Sequence, residues 1–446
     1  MSKKVLLLSG AVGCVLLLLC VSVTVAAIAG YMLLAPQLNA SMPVNRIAIV
    51  DNDANIQIVD ALGEHPVAVT TDAAGSSEFG YTAPTWSPDS QHLAFVGVGS
   101  DLAQNEIALY TAPLQERKQK PVFKSALQTP FYLYWSPDSQ SIGFLASSNT
   151  DMAMLVASAD GKSDAVQIDT GSPLYWAWSP DSKTMLTHIG GSAHQSRQAR
   201  MNLRKRQSNE TGQALTHRPA SFQAPQYSAD GSSILYATAD GANGDALFIA
   251  DAQDNNARRV ADFEGTIGFA WSPNGKKIAY LVTPDDAPLP TFGPVWIVDS
   301  DGNNRKQITQ EDTLGFFWSP NGENIAFLTA APPGNLSDCQ NCGSSRALNI
   351  PSAQSQTIHL RWQVMNLASG STHVLATFAP TRDLINVIPY FDQYARSLTF
   401  WSPDSTQFVY AKNEDDGTGT VWVANIDEKI APRRIGNGVF AVWSWK

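Results

Sequence analysis

The stretch WSPDSQHLAFVG, which begins at Trp86, recurs with small changes along most of the chain. The other copies are WSPDSQSIGFLA at Trp135, WSPDSKTMLTHI at Trp178, YSADGSSILYAT at Tyr227, WSPNGKKIAYLV at Trp271, WSPNGENIAFLT at Trp318, WSPDSTQFVYAK at Trp401 and a truncated WSWK at Trp443. Consecutive copies lie 49, 43, 49, 44, 47, 83 and 42 residues apart. All but one of these spacings are close to the roughly 40 to 50 residues of a four-stranded repeat unit. The length of the chain alone would suggest about three separate domains. The repeat shows instead that one recurring unit organises most of the chain.

Each copy predicts an antiparallel meander of four short strands. An apolar strand ends at the Trp, and Ser-Pro-Asp-Ser/Gly then forms a tight turn, because proline fixes φ and aspartate bonds back to the backbone. A second strand follows at 93–96 in the first copy, and a third and a fourth are clearest at 295–298 and 306–309. Such a sheet buries both faces only when another sheet stacks on each side. The predicted fold class is all-β, a β-propeller of four-stranded blades.

The two ends of the chain are predicted to complete one blade. Residues 46–50, 55–59 and 67–70 have the pattern of second, third and fourth strands without a first. Residues 439–443 have the pattern of a first strand with nothing after it. Pairing these segments closes the ring and protects the sheet edges. Seven whole blades plus this shared one predict eight blades, with seven or nine as alternatives.

The W-S-P-D-S/G repeats resemble the WD40-like repeats of the TolB propeller family, which also occur in the non-catalytic propeller of prolyl oligopeptidases. The resemblance covers roughly residues 45–446 and implies the fold, while function depends on sites that a fold carries. TolB proteins have an additional α/β domain before the propeller, whereas only the segment 35–44 separates the N-terminal apolar run from the first strand here. A peptidase is excluded, because the sequence contains no G-x-S-x-G nucleophile motif.

The N-terminus predicts a membrane anchor. Lys3 and Lys4 precede a run at 5–34 that contains no charged residue, and about 20 apolar residues are enough to cross a bilayer. Because positive flanks stay inside, residues 1–4 are expected in the cytoplasm and 45–446 on the other side, after a linker at 35–44. A cleaved signal peptide ending near Ala29 is the alternative. Both interpretations place the body of the chain in the periplasm or outside the cell.

Composition and charge exclude other classes of protein. Charged residues make up 16% of the chain and hydrophobic residues 44%, which is typical of neither a disordered chain nor a solvated long helix. The formal net charge is -10, so the phosphate-binding surface that nucleic-acid binding needs is not expected.

No catalytic residue, cofactor or metal site is predicted. The repeated turn aspartates are interpreted as structural, because Asn274 and Asn321 replace them in two copies. Cys339 and Cys342 are the only cysteines of the exposed body, and a local disulfide is the preferred interpretation in an oxidising compartment. A zinc site would need two further ligands, and His359 and His373 lie at spacings that match no familiar finger.

Long loops on one face predict a partner site. The 83-residue spacing is interpreted as one blade with loop insertions near 331–357 and 379–397. The second insertion is rich in aromatic residues and contains an arginine, as interface hot spots are. Its candidate binding residues are Tyr390, Phe391, Asp392, Gln393, Tyr394 and Arg396. The alternative is that Phe391 and Tyr394 fold the loop back onto the ring.

A second candidate patch is basic. Strand alternation places Arg200, Arg204 and Arg206 on one face of a third strand. They would either bind an anionic partner or use their charge to protect an exposed sheet edge.

The function expected from the sequence is a non-enzymatic, membrane-anchored scaffold that binds a protein partner in a cell-envelope assembly. The alternative is a ligand-sensing or catalytic propeller that uses its central channel. The first strands at 131–134, 174–177, 267–270 and 314–317 contain no charged residue or histidine, which disfavours that alternative.

Overall fold

The structure, a computed structural model, describes residues 45–446 apart from 75–77, 100–106, 115–117, 148–151, 207, 209, 222, 240–243, 288, 290 and 332–357. None of the helices in this part of the chain is long and apolar enough to span a bilayer. The predicted anchor at 5–34 lies outside the described residues.

The described strands form seven antiparallel sheets. The first sheet joins the two ends of the chain through β1 Arg46–Val50, β2 Ile56–Asp60, β3 Val67–Ala68 and β31 Phe440–Trp443. The second contains β4 Phe79–Trp86, β5 His92–Gly99, β6 Ile107–Pro113 and β7 Lys120–Ser125. The third contains β8 Thr129–Trp135, β9 Ser141–Ser147, β10 Met152–Ser158 and β11 Val166–Thr170. The fourth contains β12 Leu174–Trp178, β13 Thr184–Ile189, β14 Arg200–Lys205 and β15 Gln213–Ala214.

The remaining sheets continue the same order. The fifth contains β16 Gln226–Tyr227, β17 Ser233–Ala239, β18 Asp245–Asp251 and β19 Arg258–Asp262. The sixth contains β20 Thr266–Trp271, β21 Lys277–Thr283, β22 Val295–Asp299 and β23 Lys306–Gln307. The seventh has seven strands, namely β24 Thr313–Trp318, β25 Asn324–Ala330, β26 Leu360–Asn366, β27 Thr372–Pro380, β28 Gln407–Asn413, β29 Gly419–Asn425 and β30 Arg433–Asn437.

The long interval between Trp318 and Trp401 contains a single four-stranded unit, as the sequence predicted. This unit is β24 to β27, and two residue pairs at the end of β27 join it to β28. Trp401 forms an isolated bridge with Phe408 of β28, in the position of a first strand for the last unit. The seven-stranded sheet therefore consists of two repeat units linked at one corner.

The chain ends pair in one sheet, which confirms the predicted closure. β31 runs antiparallel to β1, with Ile47 opposite Trp443 and Val50 opposite Phe440. Just beyond the strands, the Asn45 amide donates to the Lys446 carbonyl at 2.6 Å. The shared sheet thus contains strands from both ends of the repeat array and removes its open edges.

A hydrogen bond from one repeat to the previous one recurs between the sheets. The indole N–H of the repeat tryptophan donates to the carbonyl of the residue that immediately precedes the equivalent tryptophan one repeat earlier. These bonds are Trp86 to Val442 at 3.2 Å, Trp135 to Thr85 at 3.0 Å, Trp178 to Tyr134 at 3.2 Å, Trp318 to Ala270 at 3.2 Å and Trp401 to Phe317 at 3.2 Å. Since a buried indole N–H needs an acceptor, the bond fixes how consecutive sheets stack.

One junction uses a different residue for the same task. Tyr227 replaces the repeat tryptophan, and the residue before it, Gln226, bridges to the next sheet instead. Its side-chain amide donates to the Phe269 carbonyl at 2.6 Å and accepts from the Trp271 amide at 2.8 Å. The Trp271 indole then bonds within its own turn, to the Gly275 carbonyl at 3.0 Å.

The Ser-Pro-Asp turn is held by its own side chains. In the first copy the Ser87 hydroxyl donates to the Asp89 carboxylate at 2.5 Å and accepts from the His92 amide at 2.9 Å. The last turn residue has a positive φ of 60° at Ser90 and Ser139 and is glycine in three other copies. The Ser139 hydroxyl also accepts from the Asp89 amide of the previous repeat, at 3.1 Å. The turn aspartate is therefore engaged in backbone bonding.

The sheets together fit a β-propeller. Six of the sheets have four strands, and the seven-stranded sheet contains two repeat units. Neighbouring sheets contact each other through buried aromatic and aliphatic side chains. The fully buried large side chains include Trp86, Trp135, Trp176, Trp362 and Trp443. Seven of the twelve tryptophans are buried, and the other five are partly buried.

Trp135→Phe should destabilise the protein more than Trp176→Phe. Both side chains are buried, but the Trp135 indole donates to Thr85 whereas the Trp176 indole N–H has no partner among the described residues. The same loss of volume therefore removes a hydrogen bond in one case only. We expect an additional loss of about 1–2 kcal/mol in the free energy of unfolding, measured by urea denaturation. Equal losses in the two variants would contradict a stabilising role for the indole bond.

Candidate partner-binding site

The loops of the repeat units emerge on two faces. Loops from strand two to strand three and from strand four to the next strand one lie on one side, which we call the loop face. The Ser-Pro-Asp turns and the loops from strand three to strand four lie on the other, the turn face. The loop-face segments at 189–200 and 380–398 are described, and so is the segment 283–295 apart from residues 288 and 290. Residues 332–357 are not, so the disulfide prediction for Cys339 and Cys342 lies outside the described residues.

The last loop folds into two short helices and a 3-10 turn. They are α1 Arg382–Val387, a 3-10 turn Ile388–Tyr390 and α2 Phe391–Tyr394, and we call the whole segment 381–397 the plug. Thr381 caps α1, its side chain accepting from the Leu384 amide at 3.4 Å, and Asp383 lies in the first turn. Threonine at this position and an acidic first turn are typical of a helix start. The sequence prediction of an irregular loop missed these helices.

The plug packs against the first strands of several sheets. The Phe391 side chain is completely buried, with its ring 4.7 Å from that of Phe316 in β24. A Cβ added to Gly268 of β20 would lie 2.9 Å from the Phe391 ring, and one added to Gly315 of β24 would lie 2.8 Å from Ile388. These two glycines therefore provide the space that the plug fills.

The other side of the plug reaches the opposite first strands. The Tyr132 hydroxyl of β8 donates to the Gln393 carbonyl at 3.1 Å, and its ring contacts that of Tyr394 edge-on at 5.1 Å. The Asp392 carboxylate accepts from the Ala224 amide, just before β16, at 3.1 Å. First strands are the innermost strands of a propeller blade. A segment that touches the inner strands of the third to seventh sheets lies across the middle of the ring.

Burial changes the ionisation of the plug's acidic groups. It raises the pKa of Asp392 from 3.8 to about 6, and the Ala224 amide and the nearby Arg396 charge only partly oppose this shift. Burial also raises the pKa of Tyr394 to about 12 and that of Tyr132 well above its ordinary value. A carboxyl group that is easily protonated near neutral pH is therefore enclosed between the plug and the ring.

The candidate binding residues of this loop fall into two groups. Tyr390 is 40% exposed, whereas Phe391, Asp392 and Gln393 are buried against the chain's own strands. Tyr394 and Arg396 are half-buried. Phe391 and Tyr394 thus fold the loop back onto the ring, which is the alternative that the sequence left open, and the glycine positions in β20 and β24 provide the space for the inward-facing side chains. The structure adds Ile385 of α1, which is 47% exposed and was not identified from the sequence.

The arginine patch joins two sheets rather than protecting an edge. Arg204 is 3% exposed and forms an ion pair with Asp169 of β11, and Arg200 contacts the same carboxylate at 3.1 Å. Arg206 contacts Asp138 at 2.5 Å. The predicted alternation is confirmed for Arg200 and Arg204, which share the Asp169 carboxylate. That face meets the preceding sheet, so Arg204 is not available to an anionic partner.

One group of side chains has metal-ligand spacing. Asp60, Glu64 and His65 place ligand atoms within 4.8 Å of one another in the β2–β3 loop. The Asp60 carboxylate already accepts from the His65 ring at 2.8 Å and from two backbone amides. These bonds explain the cluster as a turn, and no metal is assigned to it.

Solved structures similar to this chain include TolB proteins. TolB from Acinetobacter baumannii is 22% identical, with a TM-score of 0.36 over 62% of this chain and 68% of that one. The chain resembles TolB-type propellers. A second structure, described as a putative TolB from Agrobacterium tumefaciens, is 19% identical with a TM-score of 0.39 over 63% of this chain and 96% of its own.

Enzymes share this level of similarity. An oligogalacturonate lyase in complex with manganese is 12% identical, with a TM-score of 0.49 over 87% of this chain and 98% of the lyase. No protein-family model and no curated protein matches the sequence. At these identities the similarities concern the fold alone, so activity has to be argued from the residues of this chain.

Gly315→Ala should loosen the plug, whereas Gly436→Ala should not. The added Cβ would lie 2.8 Å from Ile388 and 2.9 Å from Phe391 at position 315, but 3.4 Å from its nearest neighbour, Ile49, at position 436. Neither glycine has a positive φ, so the backbone tolerates alanine at both. We expect amide hydrogen exchange within 381–397 to accelerate about tenfold in Gly315→Ala alone. Unchanged exchange would show that the plug adapts without opening.

Asp392→Asn should remove a pH dependence of stability. The folded chain retains a proton on Asp392 that the unfolded chain releases between pH 3.8 and about 6. The free energy of unfolding therefore falls as the pH rises through this window, by at most about 3 kcal/mol. His188 is a second titratable group near this site; its ring contacts the Gln223 carbonyl at 2.8 Å, and burial lowers its pKa. Because His188 is present in both the parent and the Asp392→Asn protein, its effect cancels in the comparison.

Urea denaturation from about pH 4 to pH 7 measures this difference. Relative to Asp392→Asn, the parent should be more stable at the acidic end and lose that advantage as the carboxyl group ionises. A stability difference that stays constant across the range would contradict the raised pKa.

Proposed function

We propose that this chain is a membrane-anchored, extracytoplasmic, TolB-like propeller of eight blades that binds a protein partner as a scaffold in a cell-envelope assembly. The plug is the observation that carries the proposal. Its inner side chains are used against the ring, and its outer side presents Ile385 and Tyr390 to solvent. Recognition by the outer surface therefore fits this geometry better than chemistry inside the channel.

The residues around the plug indicate which kind of partner surface would be complementary. The neighbouring loop at 283–295 exposes Leu289 and is fixed near β24 by a bond from the Thr291 hydroxyl to the Leu314 carbonyl at 2.7 Å. Exposed acidic residues occupy this loop and the one between β23 and β24; they are Asp285, Asp286, Glu311 and Asp312. A partner with an apolar centre and a basic rim would complement this surface.

The position of the chain ends supports the orientation of this surface. β1 starts and β31 ends on the turn face, so Asn45, the first described residue, lies on that face. The anchor predicted at 5–34 would then hold the turn face towards the membrane. The plug, on the loop face, would point away from it, where a partner has access.

A photo-crosslinking amino acid at Tyr390 tests the proposal. In membranes of cells that express the full chain, we expect one reproducible protein adduct from position 390 and from position 385. Val374 provides the matched control, since it is 49% exposed but lies in the outer strand β27. The basic rim predicts that a charge-reversed surface, Asp285→Lys with Asp286→Lys, reduces the adduct about tenfold.

Two results would contradict the proposal. The first is an adduct of equal yield from position 374, which would indicate random collision. The second is the absence of any protein adduct at 385 and 390 while a small molecule copurifies with the chain, which would favour a ligand-binding propeller.

A further inference from the structure

Two exposed apolar side chains interrupt the otherwise polar turn face. In the described part of the chain, Leu62 and Ile430 are the large hydrophobic residues exposed on this face, at 55% and 53%. Both lie in loops between a third and a fourth strand, Leu62 after β2 and Ile430 after β29. The equivalent loop after β10, at 159–165, contains Asp160, Lys162 and Asp164 and has no large apolar residue. The apolar residues are thus specific to two loops.

These two loops lie next to each other. The Arg433 guanidinium donates to the Ala61 carbonyl at 2.5 Å, and Gly63 lies so close to Ile435 that a Cβ would not fit. Their sheets are the shared one and the last one, which are neighbours at the closure of the ring. Leu62 and Ile430 therefore belong to one continuous surface.

Charged residues of both signs surround the apolar side chains. The exposed sequence Lys429-Ile430-Ala431-Pro432-Arg433-Arg434 contains three basic residues. The same two loops contain four acidic residues: Asp60, Glu64, Asp427 and Glu428. Leu62 and Ile430 are therefore apolar side chains within a surface of mixed charge, and exposed apolar side chains beside basic residues are found on surfaces that contact lipid.

The chain also leaves the ring beside this surface. Asn45 precedes β1, which pairs directly with β2, the strand that leads into the Leu62 loop. Between Asn45 and the uncharged apolar run at 5–34 are only the residues 35–44. Ten residues span at most about 35 Å when fully extended, so an inserted anchor would keep the turn face close to the bilayer.

We propose that Leu62 and Ile430, with Lys429 and Arg433, form a membrane-contact patch that rests on the lipid surface. The inference rests on the anchoring in the proposed function and adds an orientation to it. Two apolar side chains bind a bilayer weakly by themselves, but a short tether raises their effective concentration at the surface. The patch would fix the ring on the membrane so that the plug faces outward.

The test uses the full chain reconstituted into phospholipid vesicles. A solvatochromic amino acid replaces Ile430 in one protein and Lys162, on the β10–β11 loop of the same face, in a matched control. With nitroxide-labelled lipids, we expect quenching and a blue shift at position 430 but not at position 162. Leu62→Asp should reduce the quenching at 430 about tenfold.

Extraction at alkaline pH separates this proposal from the anchoring. If the chain resists extraction and position 430 is not quenched, the patch is overturned while the anchor remains. If the chain is extracted, the anchor is overturned and the patch with it. Crosslinking between position 430 of two chains, without lipid quenching, would show that a second copy covers the surface and would also overturn the patch.

Discussion

The hydrogen bond from the indole of one repeat to the backbone of the previous repeat determines how the sheets stack. Trp135 reaches the carbonyl of Thr85, the residue just before Trp86, and the same offset recurs at Trp178 and Trp318. At the five junctions where the indole uses that acceptor, one sheet fixes the position of the next. The shared sheet takes part in the same bonding, since the Trp86 indole donates to the carbonyl of Val442, which lies near the C-terminus. Closure of the ring is thus part of the same repeating contact.

The stacking brings the first strands together, and this creates the place that the plug fills. Where two of these strands carry Gly268 and Gly315, the space accommodates Phe391 and Ile388. The plug encloses Asp392, whose neutral form is favoured by burial. A buried carboxyl group with one amide donor from the ring reduces the stability of the docked segment once it ionises. Docking of the plug is therefore a pH-sensitive contact of the fold.

The sequence predicted the repeat, the paired ends and the single unit in the long interval, because each depends on a pattern that recurs in phase. It did not predict the plug helices, since 381–397 has too few turns for a periodic signal, although Thr381 and Asp383 mark the start of one. Alternation placed Arg200 and Arg204 correctly on one face. Their partner, Asp169, belongs to a different repeat, so only the stacking of sheets could identify it.

The indole hydrogen bonds between repeats also explain which loops of the two faces can vary in sequence. Ser-Pro-Asp turns occupy the inner part of the turn face, and their side chains bond within and between repeats, as Ser139 does with Asp89. Substitution there disturbs the register of the ring. The loops after third strands take no part in the indole bonds, and neither do the loops of the opposite face. Leu62, Ile430 and the plug all lie in such loops, so the surfaces proposed to contact a membrane and a partner can change without altering the contact that holds the sheets together.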